Sequence, residues 1–199
     1  MASPSVTPAT FPTTISSTDS AMLAQAAAAN NYKQFIESAA QQFGFQPAVI
    51  CGIGSRESGW GLLLKPPSPG GTGDFAARTN TKPFRSGPLP PDGGGYGRGL
   101  MQIDFDAFPF AQTGNWRDPQ ANINFGCQVL HNNLVFLSSH TTLQGLMLLR
   151  GVIAAYNCGA GNVRNAVQQS RDVDFFTAHS NYSADVLNRA GFFQQQGWV

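Results

Sequence analysis

Along most of the chain, apolar residues recur at the three- and four-residue spacing of helices that face one core. The first such stretch begins at 19 or 24 and runs toward 43, with Tyr32, Phe35, Ile36 and Ala39 on one face and Gly44 as its stop. Pro47 opens the second, at the first-turn position where a missing N–H costs least, and Trp60 and Gly61 close it. Its stripe reads Val49, Ile50, Ile53, Glu57, Trp60, so a carboxylate sits on the seam where an apolar side chain belongs. A third helix is predicted over 119–138, with Ile123, Cys127, Leu130, Leu134 and Leu137 in line. The densely apolar "LQGLMLLRGVIAAYN" predicts a central buried helix over 143–157, ended by Gly159 and Gly161. A helical turn restarts over 162–169, and a last helix over 182–196 packs Tyr182, Val186, Ala190 and Phe193. In "YGRGLMQIDFDAF", Leu100, Met101, Ile103 and Phe105 read as a short strand or extended turn. The expectation is a mainly α fold with at most a small β-sheet and no internal repeat.

Two segments depart from this pattern. Residues 1–20 are rich in Ser, Thr and Pro and predict a disordered or loosely draped arm. Residues 62–95 turn abruptly to Pro, Gly and Thr and predict a long loop of the kind that is functional or mobile. With 199 residues the chain suits one core, so 21–199 is expected to form a single domain.

Composition narrows the partners. Charged residues make up only 12% of the chain, about half the usual share, and the formal net charge is +1 without a Lys/Arg cluster. That argues against nucleic acid and favours a neutral polymer. No apolar run approaches a membrane span, and the N-terminus lacks the basic and apolar regions of a secretory signal. Cys51, Cys127 and Cys158 are too few for a disulfide scaffold and their number is odd.

A carboxylate on an apolar seam is paired, caps a neighbouring element, or is functional with its protonated form favoured by desolvation. Two further acids stand where charge is scarce: Asp104 at the end of "GRGLMQID" and Asp92 before three glycines in "PPDGGGYGRG". Glycoside hydrolysis uses such a set, a protonated acid beside the leaving oxygen and, in the inverting mode, a second carboxylate that activates water. Read singly, Asp92 is also a turn residue and Asp104 also a helix cap.

"SRES" with Glu57, "GRGLMQID" with Asp104 and "AAYNCGAGNV" with Tyr156 and Asn157 resemble, in order, the motif blocks of goose-type lysozymes and the related soluble lytic transglycosylases. The likeness runs from Tyr32 to Trp198 and includes "NYSADVLNRAGFF". It implies a lysozyme-like helical domain whose groove cleaves the β-1,4 bond between N-acetylmuramic acid and N-acetylglucosamine in peptidoglycan. It further implies Glu57 as general acid, Asp92 and Asp104 as the pair that positions water, and Gln102, Tyr156, Asn157 and Tyr182 as substrate-binding residues. Segment 62–95 is longer than in the family, which leaves Asp74 and Asp106 as alternatives to Asp92. The resemblance implies a monomer acting at an extracellular or periplasmic wall, with a proteinaceous lysozyme inhibitor as a further partner class and no cofactor. Two alternatives stay open: a lytic transglycosylase forming 1,6-anhydromuramic products, and a wall-binding homologue without catalysis.

The cysteines read as small buried hydrophobes. A Cys–His nucleophile is the rival, but His131, His140 and His179 are scattered, and no His/Cys spacing suits a metal. Trp60, Trp116, Trp198 and Phe108 are read as core first and sugar platforms second, with Trp116 the best groove candidate because its neighbours are polar.

Overall fold

The computed structural model describes residues 10–64, 90 and 95–199. Eight α-helices and one small two-stranded sheet are found among them, a mainly α architecture. In order these are α1 (Ser20–Asn30), α2 (Lys33–Phe43), α3 (Pro47–Ser58), β1 (Gly97–Arg98), β2 (Ile103–Asp104), α4 (Pro109–Thr113), α5 (Pro119–His140), α6 (Gly145–Cys158), α7 (Ala160–Gln168) and α8 (Tyr182–Gln195), with a short 3-10 turn (Ala178–Ser180) before α8.

The expected first helix is two helices. Asp19 caps α1 by accepting a 2.9 Å hydrogen bond from the Met22 amide. The chain then breaks at Asn31 and Tyr32, whose amides bond only three residues back, to Ala28 and Ala29. Two successive asparagines are poor helix formers, and the break lets Tyr32 stack on Trp60 at 6.0 Å. Gly44 closes α2 in the left-handed conformation. The predicted faces of α5 and α8 are buried along their lengths, and α6 is enclosed from Leu149 to Ala155 apart from Arg150.

The core is organised around α3 against α8. A Cβ at Gly52 would stand 2.5 Å from the Val186 carbonyl, so only glycine lets the two backbones approach this closely. Residues 10–14 cross α8 on its outer side: Phe11 is buried, its amide donates to Gln194 Oε1, and the Thr14 amide donates to Asn188 Oδ1. Most of the predicted long loop, and residues 1–9 of the predicted arm, lie outside the described residues.

The N-terminus of α8 is held from outside the helix. Asp174, 1% exposed, accepts from the Ser183 amide at 2.8 Å, the Ser183 hydroxyl at 2.6 Å and the Ala184 amide at 3.3 Å. Arg150 of α6 approaches the same carboxylate at 3.2 Å and pairs with Asp172 at 2.9 Å. A buried anion is tolerable only with such partners, and here it satisfies the first-turn amides that an N-terminus leaves open. Asp174→Ala is therefore expected to destabilise the protein by about 3–5 kcal/mol, lowering Tm by roughly 10 °C. Asp174→Asn, which keeps an acceptor oxygen, should lose less; thermal and urea melts of both variants check this.

Candidate active site

Glu57 lies in the last turn of α3, where the buried stripe reaches the surface. Val49, Ile50, Ile53 and Trp60 are buried as the pattern predicts, but Glu57 is half-buried, because α3 ends one residue later and the seam opens there. The carboxylate is held by α8, since the Tyr182 hydroxyl donates a short hydrogen bond to Glu57 Oε1. Burial first, then the negative charge of Glu57, pushes the Tyr182 phenol well above its ordinary value. Tyr182 therefore stays a hydroxyl donor at any working pH.

The residues flanking Glu57 on α3 tie it to α8 a second time. Arg56 pairs with Asp185 at 2.8 Å, and its guanidinium lies 5.7 Å from the Tyr182 ring centroid. Arg189 binds the same Asp185 oxygen at 2.7 Å and donates to Ser55 Oγ at 2.9 Å, and that hydroxyl in turn donates a hydrogen bond to Gln25 Oε1 at 2.6 Å. Arg56, adjacent to Glu57 in sequence, thus takes its carboxylate partner from 129 residues away.

Opposite α3 stands the β1–β2 hairpin, paired Gly97 to Asp104 and Arg98 to Ile103. Its turn is pinned from three helices. Ser58 of α3 donates to the Leu100 carbonyl at 2.7 Å, and Tyr156 of α6 donates to the Met101 carbonyl at 2.7 Å. Asn122 of α5 accepts the Met101 amide at 2.8 Å while donating to the Arg98 and Trp116 carbonyls. Gln102 then adopts a left-handed backbone, φ 48°, with its side-chain amide folded onto the Gly99 carbonyl at 2.9 Å. Asp104 accepts from the Asp106 and Ala107 amides at 2.8 and 3.0 Å through Oδ1, a local turn and not the cap of the next helix that the sequence also allowed, since Phe108 holds the N-cap position of α4.

The predicted residues thus fall into two groups. Glu57 and Tyr182 are in direct contact; Tyr156, Gln102 and Asp104 gather on or against the hairpin pinned to the same α3 turn. The Tyr156 phenol is pushed well above its ordinary value by burial, then by Glu57 and Cys127, which places it in the field of the same carboxylate. Asn157 is exposed at the end of α6 and its Oδ1 accepts the Ala178 amide at 2.9 Å, so it also fastens the α7–α8 connection. Asp92 and its alternative Asp74 lie outside the described residues; Asp106 lies on the hairpin's exit. Ser58, Asn122 and Asp174 escaped the sequence reading. For Ser58 and Asn122 the available signal was a polar residue on or beside a buried helical face; Asp174, in the loop before α8, gave no such signal.

Trp116 lines a cavity with Tyr32, Leu64, Leu100 and Asn122, but little of its own surface is open to solvent. It is 6% exposed, and the guanidinium groups of Arg98 and Arg117 lie 4.9 and 4.3 Å from its ring centroid, so the polar neighbours cover the ring. Trp60 and Trp198 are core residues. All three cysteines are free, and burial raises Cys51 and Cys127 far from thiolate reactivity and Cys158 to about 11. Among the described residues no cluster of three or more His, Cys, Asp or Glu could hold a metal ion, and no helix is long and apolar enough to cross a membrane.

Comparison with known proteins gives the geometry a context. The sequence model of the family Lysozyme g matches residues 91–197, more than half of the chain. Lysozyme g of Gallus gallus is 33% identical over 170 residues, covering 85% of this chain and 66% of its own. Lysozyme G of Dromaius novaehollandiae is 31% identical over 170 residues, covering 85% and 69%. Lysozyme g of Epinephelus coioides is 30% identical over 191 residues, covering 92% and 81%. The chain spans about two thirds of the length of the two avian relatives. On both the family match and these relatives, the chain belongs to the lysozyme g family, a family of glycoside hydrolases.

Proposed function

We propose that the protein is a muramidase, hydrolysing the β-1,4 bond from N-acetylmuramic acid to N-acetylglucosamine in bacterial peptidoglycan, and that it does so at an extracellular or periplasmic wall. The observation that carries this reading is the Glu57 carboxyl, half-buried at the end of α3 and oriented by the Tyr182 hydroxyl. In the mechanism, protonated Glu57 donates its proton to the glycosidic oxygen as the C1–O bond breaks. Asp104, together with Asp92, holds and deprotonates a water that attacks C1 from the opposite face and inverts the anomeric centre. Tyr182 acts through Glu57 as a positioning residue. Gln102, Tyr156 and Asn157 are assigned to sugar contacts along the groove.

Digestion of purified peptidoglycan, read by mass spectrometry, tests the assignment. Reducing muramic ends are expected; 1,6-anhydro ends, lighter by one water, would instead make the enzyme a transglycosylase, and wall binding without turnover would make it a non-catalytic homologue. Glu57→Gln should lower turnover by about 10²–10⁴-fold with the melting transition retained. An active Glu57→Gln enzyme would remove Glu57 from the acid's role.

Tyr182→Phe separates orientation from folding. It is expected to cut kcat by about tenfold with KM changed less than about twofold, because the lost bond orients the acid and does not hold the sugar. Steady-state kinetics on a soluble chitooligosaccharide check it, and a rise in KM at constant kcat would contradict the positioning role.

A further inference from the structure

The connection between α7 and α8 carries Phe175 and Phe176, adjacent in sequence and 42% and 41% exposed. Their rings meet edge to face with centroids 4.8 Å apart. A slack loop would tuck such rings away, since burying one is worth about 1.5–3 kcal/mol. This loop is not slack. The Phe175 amide donates to the Asp172 carbonyl at 3.0 Å and the Thr177 amide to the Asp174 carbonyl at 2.9 Å, either side of the buried Asp174 carboxylate. With the backbone fixed on both sides of them, the two rings stand part-exposed to solvent.

Their position is equally constrained. Two residues after Phe176, the Ala178 amide is fastened to Asn157 Oδ1, and Thr177 Oγ1 accepts the Tyr182 amide at 3.3 Å. The pair therefore stands on the strap that joins Asn157 to Tyr182, the residue whose hydroxyl reaches Glu57. The two rings are not equivalent. The Arg171 guanidinium lies 4.8 Å from the Phe175 centroid, so Phe175 is braced between a cation and its neighbour, and Phe176 is the ring on offer.

We propose that Phe176, braced by Phe175, is a stacking platform for an N-acetylated hexosamine of the glycan strand, beyond the sugars bound at Glu57. The pyranose ring presents a face of C–H groups that lies flat on an aromatic ring, and a neutral sugar suits a chain in which only 12% of residues are charged. The proposal rests on the reading of the Glu57 site as glycan-cleaving.

Calorimetric titration of the Glu57→Gln protein with peptide-free N-acetylglucosamine oligomers of increasing length isolates binding from turnover. With Phe176→Ala added, affinity for the long oligomers should fall about five- to tenfold and affinity for the disaccharide should hold, and Phe176→Trp should restore the loss. Equal affinities at every length would overturn the proposal. Weakening confined to peptide-bearing wall fragments would also overturn it, by making the pair a peptide contact. So would loss of self-association in sedimentation with oligomer binding unchanged, which would make the pair a protein interface. Failure of the underlying reading shows earlier and separately: a Glu57→Gln parent that binds no oligomer, beside a wild type that leaves peptidoglycan intact, would overturn both.

Discussion

Everything at the site depends on α3 and α8 lying closer than two ordinary helices can. Gly52 permits that approach at the middle of α3, with the Val186 carbonyl filling the space of a side chain. Nearer the C-terminus of α3, the same pair of helices meets through Tyr182 on Glu57 and Arg56 on Asp185. The separation set by backbone contact is thus read out as a hydrogen bond to one carboxyl. Ser58, next in sequence, carries the constraint across to the hairpin. A side chain that must transfer a proton needs its position fixed to a fraction of an ångström. Here that precision comes from two helices and a turn, not from the half-exposed residue itself.

Much of this was legible in the chain, for a physical reason. The stripes of α5, α6 and α8 follow helical periodicity because each buries one face or more in a single core, and burial of apolar area dominates folding. Glu57 stood out because it interrupted such a stripe; Tyr182 read by periodicity as a packing residue, and only the family resemblance marked it as a site residue. What periodicity cannot express is the polar pin between distant segments. Asn122 satisfies three backbone groups of the hairpin and neighbouring turn, yet locally it is one asparagine beside Ile123. Asp174 looks like an ordinary loop acid until α8 is placed above it. Trp116 shows the same limit: among its polar sequence neighbours is Arg117, which folds over the ring and helps leave it 6% exposed.

The scarcity of charge takes on a different meaning once the pins are located. Several of the few ionic groups face inward: Arg98 is wholly buried with Phe105 and Trp116 at its guanidinium, Asp174 caps α8 beside Arg150, and Asp185 is shared by Arg56 and Arg189. Charges spent on buried contacts are specific in direction and little screened by salt, whereas exposed pairs contribute little. With a formal net charge of +1, the chain has no large excess of either sign to repel or trap a polymer. On such a chain, recognition of a neutral strand must come from shaped hydrogen bonding and aromatic faces. Among the described residues, the strap between Asn157 and Tyr182 carries both, a side-chain amide fixed by the Ala178 N–H and two exposed aromatic rings.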